Sequence, residues 1–314
     1  MPPRGDDWSI GEMLNGVILV WFILTALSVA FVAIDIRSTP ESPVLKWGFV
    51  LVTLYTGPIG AMLYVLGCRE PLPHTHEQYV AAQWRQTLGS AMHCVAGDGV
   101  GILAGAVIGG FLMLPPALDI TMEYLLGFAF GLGIFQALFM RDMVGGSYTR
   151  ALAGSFIPEL TSMNCLMAGM IPVAMIAKAR VPGSDHPSSP AFWFIMSMAL
   201  MVGFFTAYPM NWWLVARKLK HGMMTMRSAS TESGGQQQHP SGHEGMAGAS
   251  HQGMGHGAMS HGAMGQQMHG GGETAGHSSM SHAPAAVSSG TIAMVIALSF
   301  LIMGAGVAIA ATFA

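Results

Sequence analysis

Three consecutive five-residue units, His251-Gln-Gly-Met254-Gly, His256-Gly-Ala-Met259-Ser and His261-Gly-Ala-Met264-Gly, each offer one imidazole and one thioether. They sit at the centre of a tract from His239 to His282 that holds eight His and six Met among Gly, Ser, Ala and Gln. Thioether sulfur is a poor ligand for the hard cations Mg, Ca and Mn but suits Cu(I), whereas imidazole serves Cu, Zn and Ni alike. The methionines therefore favour copper, as Cu(I) or Cu(II), over nickel or zinc. With no aromatic residue and no apolar period, the tract cannot bury enough surface to fold and is predicted to be disordered. Exchangeable donors on such a chain fit capture, storage or delivery of ions better than catalysis.

A second set of chemically capable residues lies inside apolar runs, where ionisable side chains are costly and mark pathways or paired sites. In Met92-His93-Cys94-Val-Ala-Gly97-Asp98-Gly99, Cys94 and Asp98 share a helical face at i, i+4, with His93 beside them. Imidazole, thiolate and carboxylate within six residues suit a soft or borderline divalent ion, although a hydrogen-bonded helix end would use the same residues. A further stripe sets Glu159, Met163, Met167 and Met170 at i, i+4, i+8 and i+11, with Asn164 and Cys165 adjoining. It reads either as a thioether ladder ending in a carboxylate or as methionine packing. The expected intramembrane metal ligands are His93, Cys94, Asp98, Glu159, Met163, Cys165 and Met167. Glu123, Gln136, Asn164, Met170, Met210 and Asn211 are expected to line the same pathway.

Positioning these residues takes a membrane bundle. Only 9% of the 314 residues are Asp, Glu, Lys or Arg, and 52% are hydrophobic, against roughly 25% charged in an ordinary soluble domain. With about 20 apolar residues per crossing, spans are predicted near 14–35, 47–67, 90–114, 119–140, 156–177, 191–215 and 290–313. The fold expected is all-α: a polytopic bundle of about seven spans with a His/Met-rich loop before the last. Its parts are two N-terminal helices and their connection (1–89), a four-helix core (90–220), the metal-binding loop (221–289) and a final helix (290–314). Trp47, Trp193, Trp212 and Trp213 fall at the ends of runs, where indole straddles the headgroup boundary. Gly97, Gly101, Gly105 and Gly109 make a smooth helical stripe for close approach of another helix, as do Gly127 and Gly131.

Counted over alternate connections of seven spans, Lys and Arg put the N-terminus and the His/Met loop in the cytoplasm and the C-terminus outside. The run from Leu14 is preceded by Asp6, Asp7 and Glu12, which argues against a secretory leader. Cys68, Cys94 and Cys165 are too few and scattered for a disulfide framework and read as reduced thiols. A net charge of −3 without basic patches speaks against nucleic acid, and no phosphate-cradling loop or nucleophilic triad is present, so nucleotide use and enzyme activity are not expected. The implied partners are a metal ion, the lipid bilayer and a copper-delivery protein.

The runs His93-Cys-Val-Ala-Gly-Asp98-Gly-Val-Gly, Glu123-Tyr-Leu-Leu-Gly-Phe-Ala-Phe-Gly, Ser155-Phe-Ile-Pro-Glu159-Leu-Thr-Ser-Met-Asn164 and Tyr208-Pro-Met-Asn-Trp-Trp-Leu together resemble a bacterial membrane family, domain of unknown function 4396. The resemblance covers about residues 85–225 and implies a polytopic helical protein of the bacterial inner membrane. A fainter similarity, His93 followed by Asp98, is to nickel and cobalt permeases, whose signature continues with a His where this chain has Gly99. The function expected is copper transport, with nickel or cobalt permeation and non-transporting copper delivery or sensing as alternatives.

Overall fold

The computed structural model describes residues 5–72, 75–141, 146–222 and 287–314; the His/Met tract lies outside them. In chain order the helices are α1 (Gly5–Asp35), α2 (Pro43–Thr56), α3 (Pro58–Gly67), α4 (His76–Val80), α5 (Gln83–Leu112), α6 (Pro116–Phe130), α7 (Ala137–Arg141), α8 (Tyr148–Arg180), α9 (Pro190–Ala216) and α10 (Ser289–Phe313). A π-helical turn, Gly131–Gln136, joins α6 to α7 without breaking the rod. Among the described residues there is no strand, and six helical segments are long and apolar enough to cross a bilayer. The chain is an all-α polytopic bundle.

The glycine stripe of α5 does what its spacing implies. A Cβ at Gly101 would collide with the Leu126 carbonyl oxygen, and one at Gly105 would meet the Glu123 Cα at 2.8 Å. Gly97 lies against the Gly131 backbone at the start of the π turn and Gly109 against the Asp119 side chain, so the stripe seats α5 closely on α6 and the turn that follows it. The exposed faces of α1 and α10 carry Leu19, Ile23, Leu27, Leu298, Leu301 and Ile309. Apolar surface of this extent suits lipid as its solvent.

The expected second crossing, 47–67, takes another form. The chain reverses at Gly57, whose φ of +58° is one that glycine adopts without Cβ strain. A Cβ on Gly60 would lie 2.6 Å from the Thr53 Cα, so α2 and α3 fold back on each other. Both outer ends of the pair meet the C-terminal end of α1: Lys46 Nζ donates to the Arg37 carbonyl (3.1 Å), Tyr64 Oη to Asp35 (2.8 Å), and Arg69 pairs with Asp35 (2.9 Å). The tip rests on Trp21 and Thr25, about 15 Å along α1 from Asp35 at 1.5 Å per residue. Helices of 14 and 10 residues reach only about 21 and 15 Å, short of a 30 Å hydrocarbon core. This is a re-entrant-type hairpin, which leaves six candidate crossings among the described residues.

That correction carries a second one. Leu14 and Ile18 of α1 gather with Ala177, Val181 and Ala191, while Leu219 gathers with Ile292 and Val295 at the opposite end. The start of α1 therefore lies at the other end of the bundle from Lys220 and the start of α10. The seven-span reading puts the N-terminus and the His/Met loop on one side.

Candidate functional site

Glu159, directly after Pro158 inside α8, is fully buried, and its Oε2 is the meeting point of four elements. Gln136 Nε2, from the last residue of the π turn, donates to it at 3.0 Å, and Cys94 Sγ of α5 donates at 3.2 Å. The same Gln136 amide also touches Cys94 Sγ. Lys220 Nζ approaches at 3.5 Å and donates to Asn211 Oδ1 at 2.9 Å. Asn211 in turn donates through Nδ2 to Ser162 Oγ (2.8 Å) and the Ala207 carbonyl (3.0 Å).

Local geometry explains each placement. The chain leaves α9 and turns at Lys218, whose φ is +57°, so that the backbone after it folds inward: Leu219 N and Lys220 N both donate to the Leu214 carbonyl. A lysine past the end of a span thereby returns into the bundle. Gly131 makes room for two acids, because a Cβ there would overlap Asp98 Oδ1 and lie 2.6 Å from Glu159 Oε1. Asp98 and Glu159 thus crowd one small space with a single ammonium nearby. Two like charges so close repel unless a proton or a second cation intervenes. An extra residue in a helical turn re-aims side chains, and π turns recur at functional sites for that reason.

Two cavities flank this cluster. One of about 160 Å³ runs from Arg150 and His221 at the helix ends inward to His93, Gln136 and Lys220. The other, about 590 Å³, lies at the opposite end among Asp119, Glu123, Lys178, Asp185 and His186. Between them Ile102 and Met163 close over Gly127, each 2.7 Å from where its Cβ would be. From one end to the other, the interior runs through a small vestibule, the charged cluster, the Ile102 and Met163 contact, and a second, larger cavity whose surface is mostly apolar.

Of the residues singled out in the sequence, Cys94, Asp98, Glu159, Gln136 and Asn211 come together, and His93 lines the adjoining cavity with its ring edge-on to Phe135. Glu123 lines the second cavity. Asn164 faces elsewhere, accepting from Tyr124 Oη at 2.7 Å and donating to Ser299 Oγ of α10 at 3.0 Å. Met163, Met167, Met170, Met210 and Cys165 belong to the packed core. His251, Met254, His256, Met259, His261 and Met264 lie outside the described residues. Lys220 is the member that sequence reasoning misses, because four residues beyond a span a lysine reads as an interfacial charge. Its one sequence signal is its place behind a polar Asn211 on the same chain segment.

No curated protein and no solved structure matches the chain, and the fainter likeness to nickel and cobalt permeases is not carried by these comparisons. Residues 83–220, which supply every side chain of the acid and lysine cluster, match the family model described as Domain of unknown function (DUF4396).

Proposed function

We propose that the protein is a multi-pass copper transporter of the bacterial inner membrane, in which metal passes through the Cys94, Asp98 and Glu159 cluster in exchange for protons. The observation that carries the reading is that cluster itself: two buried acids and a thiol, countered by one lysine, set between cavities at opposite ends of the bundle. Lys220 stands where an arriving cation would stand. A cation binding Glu159 replaces the ammonium, and the Cys94 proton leaves as its sulfur becomes a ligand, so the buried charge stays nearly constant. The His/Met tract, whose flanking residues Gly222 and Val287 belong to the vestibule end, supplies donors that pass copper toward His93. Arg37, Lys46, Arg69, Arg85, Arg141, Arg150, Arg217, Lys218 and Lys220 cluster at that end and Lys178 and Arg180 at the other, which favours a cytoplasmic vestibule.

Flux of copper, nickel and cobalt into proteoliposomes containing the purified protein tests this. The expected result is copper entry that alkalinises the lumen in step with metal movement and falls at least tenfold in Glu159→Gln and Cys94→Ala. Nickel or cobalt flux without copper flux would move the reading to the permease alternative. Copper binding without flux of any ion would replace transport by delivery to a partner protein.

A further inference from the structure

The base of the re-entrant hairpin holds a second constellation of donors, on elements other than those that carry the Glu159 cluster. Glu41 lies in the link between α1 and α2, Cys68 caps α3, and His76 opens α4. All three are buried, at 5%, 0% and 0% exposure. One ligand atom from each lies within 4.8 Å of the others, and His76 Nε2 is 3.5 Å from Glu41 Oε1. Among the described residues this is the one group of three His, Cys, Asp or Glu side chains so closely gathered.

The frame around the trio is already braced. The His76 backbone N–H donates to Glu70 Oε1 at 3.0 Å, which fixes the start of α4. Arg69, next to Cys68, is bidentate on Asp35, and Thr39, two residues before Glu41, shares a hydrogen bond with Tyr64. Cys68 therefore sits beside a residue tied to the end of α1, Glu41 near one tied to α3, and His76 at the held start of α4, so the three donors are set on a braced frame.

We propose that Glu41, Cys68 and His76 form a binding site for a zinc-class divalent cation, which staples the hairpin base to α1 and α4. One thiolate, one imidazole and one carboxylate are the borderline donor set of Zn(II) and Co(II), with three protein ligands and a fourth position for water. Magnesium and calcium prefer all-oxygen sites, and Cu(I) prefers sulfur-rich ones, so this site differs in metal preference from the His/Met tract. The assignment is independent of copper transport.

Cobalt titration of the full-length protein, purified in detergent and stripped of metal, reads the site directly. The chain has three cysteines, Cys68, Cys94 and Cys165, and the His/Met tract has none, so a thiolate-to-cobalt charge-transfer absorption reports only a cysteine site. Expected is one such cobalt per chain, displaced by Zn(II), absent in Cys68→Ser, retained in Cys94→Ser, and bound at least tenfold more weakly by Glu41→Gln. X-ray absorption at one equivalent of cobalt on the wild-type chain, which needs no variant to fold, is expected to show one sulfur among nitrogen and oxygen neighbours. No charge-transfer band in the wild type, a band that survives Cys68→Ser, or a sulfur-free cobalt environment would each overturn the proposal.

Discussion

At the scale of single residues, the cluster around Glu159 is defined by what compensates what. Glu159 Oε2 accepts from Gln136 and Cys94 and pairs with Lys220, so removal of the ammonium leaves a buried acid with neutral donors only. Breaking a buried pair from one side costs about 3–5 kcal/mol, while replacing both partners costs far less. Lys220→Met is therefore expected to unfold at clearly lower temperature in detergent, and the double variant Glu159→Gln, Lys220→Met to recover most of the loss. Equal destabilisation of the single and double variants would show that the two groups do not compensate each other. Gly131 gives a sharper steric case. An alanine methyl there would sit inside contact distance of both Asp98 and Glu159, whereas one at Gly133 meets nothing nearer than Tyr148 Oη at 3.6 Å. Gly131→Ala should abolish metal flux and Gly133→Ala should leave it near wild type, measured in the same vesicles; flux retained in Gly131→Ala would mean that the acids need not share that space.

At the scale of elements, the close contact of α5 with α6 follows from small residues and allows no filler. Gly101→Ala sets a methyl against the Leu126 carbonyl, which belongs to the backbone and cannot rotate away, so the helices must part. Overpacking of this sort costs about 1–3 kcal/mol. Gly16→Ala on α1, with nothing within 4 Å, is the matched control and is expected to be neutral or slightly stabilising, as alanine is the better helix former. Thermal unfolding of the two variants side by side decides it. That stripe was legible in the sequence because it rests on local periodicity, as were the long helices, which rest on the length of apolar runs. Cys94, Asp98 and Glu159 were legible as costly residues in apolar surroundings. The hairpin at Gly57 was not, since hydropathy records how apolar 47–67 is and not which way it points. Nor were the π turn, whose extra residue has no sequence signature of its own, and Lys220, whose return depends on a left-handed backbone at Lys218.

At the scale of the whole molecule, the hairpin decides how many times the chain crosses, and hence which parts face which compartment. If 47–67 crossed, the chain would have seven spans and its N-terminus would share a side with the His/Met tract. Because α2 and α3 return to the end of α1 from which they left, the start of α1 and the end of α10 lie at one end and the tract's flanking residues at the other. The cation count then sharpens rather than balances: the vestibule end gathers nearly all the described Lys and Arg, including Arg37, Lys46, Arg69 and Arg85 around the hairpin base. Orientation by positive charge follows the excess near span ends, and this excess is large. Reporter domains that are active only in the cytoplasm or only outside it, fused at the N-terminus, within residues 239–282 and at the C-terminus, are expected to place both termini outside and the tract inside. A cytoplasmic N-terminus together with a cytoplasmic tract would require an odd number of further crossings between them and would show that 47–67 spans the bilayer.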